Sequence, residues 1–148
     1  MSFWLRPLVI WQQPNFCFCR LLSDHLNLIL NNFTKRFLMD IEVFLHDWIA
    51  LANSYNTEKY LDKYLEDAVL NDPSVGRKFV GHPGIRDYFN SYFIGYKTQT
   101  KFVSLSIQDH HAHLEVEFTG EFPEGKIGGT FDFTFKNEKI ATVKADLI

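Results

Sequence analysis

With 148 residues, 46% of them hydrophobic and 22% charged, the chain has room for one domain with a real core and too little for two. A formal net charge of -3 and a pI near 6.0 leave no basic excess to displace counterions, which argues against a nucleic-acid-binding role. Aromatic residues reach 16%, with 15 phenylalanines, and point to a thick, ring-lined interior rather than a polar binding surface.

The first 38 residues differ from the rest. They hold both cysteines, Cys17 and Cys19, and two of the three tryptophans, Trp4 and Trp11. Cysteines separated by one residue cannot staple a fold, and no other soft ligand stands at a metal-binding spacing. A reducing, cytoplasmic compartment without a disulfide framework follows as the expectation. The apolar run Leu8-Val9-Ile10-Trp11 is broken by Gln12-Gln13-Pro14, so it is too short for a membrane span, and no small-residue cleavage site follows it. Leu22, Leu26, Ile29, Phe33 and Phe37 recur at three- and four-residue spacing, a stripe that would extend the next helix backwards and pack on a partner or a membrane surface. The simpler expectation is a biological start at Met39, with 1–38 an extension outside the fold and 39–148 the domain.

From Ile41 to Ser54, apolar residues at Ile41, Phe44, Leu45, Trp48, Ile49, Leu51 and Ala52 predict a helix with one buried face. Asn56-Thr57 offers an N-cap for a second short helix marked by Tyr60, Leu61, Tyr64 and Leu65. Ala68 to Asp72 reads as a brief strand stopped by Pro73. Gly81-His82-Pro83 opens a third helix, its apolar face Ile85, Tyr88, Phe89 and Tyr92.

After Lys97 the period drops to two. Val103, Leu105 and Ile107 share one face, as do Ala112, Leu114, Val116 and Phe118. A two-residue turn at Asp109-His110 pairs Ile107 with Ala112, Leu105 with Leu114 and Val103 with Val116, so the two stripes coincide. For the last hairpin, a three-residue loop at Lys136-Asn137-Glu138 sets Phe131, Phe133 and Phe135 on the face of Ala141, Val143, Ala145 and Leu147. A two-residue loop at Asn137-Glu138 would bring Thr142, Lys144 and Asp146 there instead. The three-residue loop is expected, because a buried unpaired charge costs several kcal/mol. The sum is an α+β fold: a cone-shaped, curved antiparallel sheet and three N-terminal helices enclosing an apolar pocket. Gly120, Gly125, Gly128 and Gly129 suit the bends of such a sheet.

This order, with Tyr64-Leu65-Glu66-Asp67-Ala68-Val69-Leu70-Asn71-Asp72-Pro73, then Gly81, Ile85 and Tyr88-Phe89, resembles the nuclear-transport-factor-two-like superfamily. That superfamily includes ketosteroid isomerase, SnoaL-type polyketide cyclases and scytalone dehydratase. From about Leu45 to Phe89 the chain is similar to ketosteroid isomerase without a gap, and the later hairpins match in order and face. The resemblance is specific for fold and weak for reaction. It implies that Asp72 stands at the general base and Trp48 where the isomerase has its oxyanion-hole tyrosine. Phe131 falls where the isomerase keeps a protonated aspartate, with Asp132 pointing outward. Leu114, Val116, Phe118, Val143, Ala145 and Leu147 fall on pocket-lining positions, and Tyr88 and Val103 join the expected ligand-binding set. Homodimerisation through an outer sheet face carrying His113, Glu115, Glu117 and Thr119 is also implied.

Read from its chemistry, Asp72 admits two settings. Facing an apolar cone, it would be a base for proton abstraction beside a carbonyl. Alternatively it caps the turn after Pro73 by accepting from a backbone N–H near Ser74 or Val75. Trp48 has one N–H to give a ligand, a poor oxyanion hole by itself, and ring packing is the other use for it. Tyr55, Tyr88 and Tyr92 are further phenol sources. His110, His111 and His113 read as a solvated hairpin tip rather than a metal site. Gly81-His82-Pro83-Gly84 lacks the Lys-Ser/Thr of a phosphate loop, and His82 is expected to be exposed. The function expected is binding of a small hydrophobic ligand by a SnoaL-like domain, with no cofactor and no metal. The alternative is a cofactor-independent isomerase, cyclase or dehydratase using Asp72 on a cyclic ketone or enone.

Overall fold

The computed structural model describes residues 16–148, with side chains at 24–30 and from Ile41 onward. The chain divides into two compact units, Met1–Arg36 and Phe37–Ile148. In the first, Leu26, Leu28, Ile29 and Leu30 are each more than half exposed. The rest of the expected stripe (Leu22, Phe33, Phe37), the run Leu8–Trp11 and the side chains of both cysteines lie outside the described residues. Among the described residues no helix is long and apolar enough to cross a membrane.

Helix α1, Phe16–Asn53, contributes its C-terminal turns to the second unit, where Ile41, Leu45, Trp48, Ile49 and Ala52 form the buried stripe that the spacing predicts. Asn56 caps α2, Thr57–Asp62, by accepting from the Lys59 N–H at 3.2 Å. Tyr64 and Leu65 belong to strand β1, Tyr64–Asp72, rather than to that helix, because a short apolar run has no period of its own to decide between the two. Strand β2, Arg77–Val80, was not expected at all: it is an edge strand that buries only Phe79. Gly81 then opens helix α3, Gly81–Tyr88, with φ +67; a Cβ there would stand 3.0 Å from the Glu66 carbonyl. His82 is half-buried rather than exposed, its ring nitrogen 3.0 Å from the Tyr64 carbonyl oxygen. A π-helical turn, Phe89–Ile94, follows and buries Phe89 and Phe93.

Strands β3 (Gln99–Gln108), β4 (His111–Thr119), β5 (Lys126–Lys136) and β6 (Lys139–Leu147) complete a six-stranded sheet in the order β2-β1-β6-β5-β4-β3. The sheet is mixed, not wholly antiparallel, since β1 runs parallel to β6 through the long connection that parallel pairing requires. The β3–β4 turn is the expected Asp109-His110 pair. Beyond it a bulge at Val103 puts Phe102, not Val103, opposite Val116, and turns Val103 outward to 53% exposure.

The last hairpin uses the two-residue loop, with Asn137 and Glu138 both at positive φ, the geometry of a primed turn. A bulge at Ala141 then shifts the register by one. Phe135 thus meets Ile140 before the bulge, while Phe133 meets Val143 and Phe131 meets Ala145 after it. The expected loop was wrong and the expected inner face from Val143 onward right, because the extra residue does inside the strand what the longer loop would have done.

The concave side is packed with rings. Trp48 lies edge-on to Phe131 and Phe133 at 5.1 and 5.3 Å; Tyr60 stacks on Phe89 at 4.2 Å, and Phe93 meets Phe118 at 6.1 Å. The Trp48 indole N–H donates to the Tyr64 hydroxyl at 3.0 Å, and Tyr64 donates to the Tyr60 hydroxyl at 2.9 Å. Gly129 is where the sheet admits the Phe118 ring, since a Cβ would fall 2.2 Å from its Cε2.

Two outcomes are expected. Gly129→Ala should lower stability by ~1–3 kcal/mol through overpacking, and adding Phe118→Leu should recover part of it in a thermal-denaturation double-mutant cycle. Burial raises the Tyr60 and Tyr64 phenols above their ordinary value of 10.0. A phenol raised on folding adds stability that is whole below that value and is lost as pH climbs past it. Stability should therefore fall above about pH 10, with phenolate absorbance from these two rings appearing with unfolding and not before it.

Candidate functional site

A pocket of about 280 Å³ lies at the end of the second unit, bordered by the end of β1, α3, the π-helical turn and the β4–β5 connection. Asp72 and Thr98 are its buried polar residues, and Asp72, 6% exposed, stands where β1 ends and Pro73 begins a turn closed by the Gly76 N–H on the Pro73 carbonyl at 3.1 Å. Its Oδ1 accepts from the Ser74 N–H at 2.9 Å and the Ser74 hydroxyl at 2.5 Å; its Oδ2 accepts from the Tyr88 hydroxyl at 3.0 Å. The carboxylate is thus both the cap of the turn and part of the pocket wall. The Tyr88 phenol is pushed well up, by burial first and by the adjacent Asp72 carboxylate second, so Tyr88 stays a protonated donor.

Aromatic residues supply much of the remaining wall. Tyr92 packs on Tyr88 at 5.1 Å, and the Thr98 hydroxyl holds that segment by donating to the Tyr92 carbonyl at 2.7 Å. The β4–β5 connection folds back on itself, with the Gly125 N–H on the Phe122 carbonyl at 2.9 Å and the Glu121 N–H on the Tyr96 carbonyl at 2.7 Å. Phe122, Pro123 and Glu124 thereby reach the pocket, and Phe122 stands edge-on to Tyr96 at 6.3 Å.

Of the residues expected at the site, Asp72, Tyr88, Phe118 and Leu147 meet around this pocket. The others lie elsewhere. Trp48 gives its N–H to Tyr64 inside the core and has none to offer a ligand. Phe131, Leu114, Val116, Val143 and Ala145 are core residues, since the rings facing them fill the concave side on which a larger cavity was expected. Val103 is carried out of the inner face by its bulge. Asp132 points outward as expected, 2.6 Å from the His113 Nδ1. His113 and His111 are exposed, and among the described residues no three His, Cys, Asp or Glu side chains gather as a metal site.

Phe93, Tyr96, Thr98, Phe122, Pro123, Glu124 and Ile127 were not foreseen, and Ser74 and Val75 were expected as partners of an Asp72 cap and not as pocket lining. Gly120 and Gly125 bracket the connection that brings three of these in. They were legible as bends, but a bend does not say which way its contents turn. Chemically, the pocket offers carboxylate and hydroxyl oxygens in an aromatic setting, and none of its described lining residues is Lys, Arg or His.

No family model and no curated protein matches the sequence. Solved structures do match in fold. A candidate polyketide cyclase from Sinorhizobium meliloti superposes with a TM-score of 0.66 at 19% identity, over 72% of this chain and 96% of that one. The epoxide hydrolase/cyclase-like enzyme SalBIII, with a role in pyran ring formation in polyether salinomycin, gives 0.64 at 17% identity, over 72% and 89%. A protein of ketosteroid isomerase-like fold from Catenulispora acidiphila, in complex with trimethylamine, gives 0.62 at 12% identity, over 69% and 82%. With its curved six-stranded sheet and its helices on the N-terminal side, the chain has the fold of the nuclear-transport-factor-two-like superfamily, shared by SnoaL-like and ketosteroid-isomerase-like proteins.

Proposed function

We propose that the chain binds a small, largely hydrophobic molecule in the pocket at Asp72. The observation that carries this reading is a buried carboxylate, positioned by Ser74 and Tyr88, on the wall of an aromatic-lined cavity of about 280 Å³. That volume lies just below the usual range for drug-sized ligands, about 300–1,000 Å³, so the occupant is a compact molecule of about one ring. The trimethylamine held by a protein of the same fold is in keeping with an occupant of that size. In this reading the functional unit runs from Met39, the protein resides in a reducing compartment, and copies pair through the outer face bearing His113, Glu115, Glu117 and Thr119. The pairing is what the family resemblance implies, and sedimentation equilibrium giving a monomer at every concentration would remove it.

Asp72 as the base of an isomerase, cyclase or dehydratase is the second reading, and the position of the carboxylate supports it. An enolate, however, must be stabilised more than its ketone. Here the Trp48 N–H is spent on Tyr64, Phe131 carries no donor, and the Tyr88 hydroxyl is given to Asp72 itself, which leaves neutral phenols such as Tyr92 and Tyr96 as donors on the wall. Negative charge developing on a substrate oxygen would also arise beside Asp72 and Glu124 with no cation on the pocket wall. Binding is the better supported of the two.

The test is thermal unfolding of the full chain with a panel of compact phenols, cyclic enones and amines, comparing wild type, Asp72→Asn and Trp48→Phe. A ligand at one hundred times its dissociation constant should add about 2.7 kcal/mol, a shift on the order of 10 °C. Asp72→Asn should lose most of that shift. Trp48→Phe should keep it while lowering the ligand-free stability by ~1–3 kcal/mol, because the Tyr64 hydroxyl loses its buried donor. No shift with any compound would sink the binding reading. Exchange of the enone α-hydrogens with solvent, abolished in Asp72→Asn, would favour the enzyme.

A further inference from the structure

The charge and arrangement of the pocket wall indicate more than its size does. We propose that its ligand is a small organic cation, of the methylated-ammonium type, rather than a neutral ring. The inference rests on the reading that this pocket is a binding site.

Three observations converge on it. The first is the state of Asp72. It is buried at 6% exposure, and none of the ion pairs among the described residues includes it. Its three hydrogen bonds come from neutral donors, the Ser74 N–H and hydroxyl and the Tyr88 hydroxyl. A carboxylate has about four lone-pair sites, so three donors leave one for a ligand. A buried negative charge without a positive partner is costly, and a cationic ligand supplies that partner.

The second is the balance of charge around it. Glu124, exposed on the rim, adds a second carboxylate, and the described lining residues contain no Lys, Arg or His to offset either one. The nearby cations are engaged elsewhere: Lys97 with Glu121, Lys126 with Glu117, and Arg77, across from Asp72 on β2, with Asp87. The local field therefore favours a positive ligand and opposes a carboxylate, phosphate or phenolate.

The third is the arrangement of the rings. Tyr88, Tyr92, Phe93, Tyr96, Phe118 and Phe122 all border the cavity. They meet at steep angles: 88° between Phe93 and Phe118, 77° between Tyr96 and Phe122, and 48° between Tyr88 and Tyr92. Rings stacked in one direction would form a slot for a planar guest. Rings inclined to one another surround a volume with π-faces and edges from several sides, which suits a rounded, weakly hydrated cation.

The test uses two probes of the same shape: choline and its neutral carbon isostere, in which carbon replaces the quaternary nitrogen. Isothermal titration of the full chain should show choline binding about tenfold or more tighter than the isostere. Asp72→Asn should abolish most of that preference while leaving the affinity for the isostere little changed. Tyr96→Leu, at a position 41% exposed, should weaken choline several-fold more than the isostere, because it keeps the apolar contact and removes the π-face. Equal affinity for the two probes would overturn the choice of a cation and leave the binding reading standing. A preference undiminished in both variants would overturn the placement of the cation here. If neither probe binds while a phenol or enone does, the cation proposal alone fails; if nothing binds, both readings fail.

Discussion

Everything in the second unit is arranged around the packing of Trp48. Its ring stands edge-on to Phe131 and Phe133, so helix α1 is seated on strand β5 by aromatic contact at the centre of the sheet. A buried indole N–H must find an acceptor, and the Tyr64 hydroxyl meets it from the first residue of β1. The Tyr64 hydroxyl donates in turn to that of Tyr60 on α2, so one donor chain ties α1, β1 and α2 together in the buried core. The stacking of Tyr60 on Phe89 extends the cluster to the π-helical turn that follows α3. Removing the centre of this cluster would leave hydroxyls unpaired and rings without partners at the same time.

The same cluster decides where a ligand can go. A curved sheet backed by helices would enclose a deep cavity if its inner face carried small residues. Here Phe131, Phe133 and Phe118 project from the strands and Trp48, Tyr60 and Phe89 from the helical side, and together they occupy that space. The pocket at Asp72 lies where β1 ends, and its wall is drawn from turns and connections more than from strand interiors. A site of that kind combines a rigid floor with a rim free to differ without disturbing the core.

The parts of this fold legible in the sequence are those with a repeating period. The alternation in β4 survives intact, with Ala112, Leu114, Val116 and Phe118 all buried, and the Asp109-His110 turn follows from matching it to β3. The stripe on α1 and the Asn56 cap are equally local. What escaped was single-residue irregularity. A bulge leaves the composition of a strand unchanged and inverts the facing of everything beyond it. At Val103 this removed an expected pocket residue; at Ala141 it rescued an expected face by an unexpected route. The pocket was misplaced for a different reason. Face assignments say which side chains point inward, and whether they leave room between them depends on three-dimensional packing that no period encodes. Phe122 and Glu124 were hidden more deeply still, because their connection has no period at all.

Asp72 shows why position within a fold and chemical role must be argued separately. Its place at the end of β1 is accounted for by structure alone, since its Oδ1 closes the Ser74 turn and its Oδ2 takes the Tyr88 hydroxyl that buries α3 against the sheet. A carboxylate there has a structural reason to exist whether or not it ever accepts a proton from a substrate, so its agreement with the isomerase's base is weak evidence of catalysis. The surroundings discriminate better than the position. A base that generates an enolate is best served by positive charge near the oxygen that becomes negative, and this wall presents a second carboxylate and inclined aromatic rings, with the Tyr92 and Tyr96 phenols as its neutral donors. Those features lower the energy of a positive guest and raise that of a negative intermediate. With Trp48 and Phe131 filling the cone, the chemistry left at its mouth is that of two carboxylates among inclined rings, the setting that our proposal assigns to a positive guest.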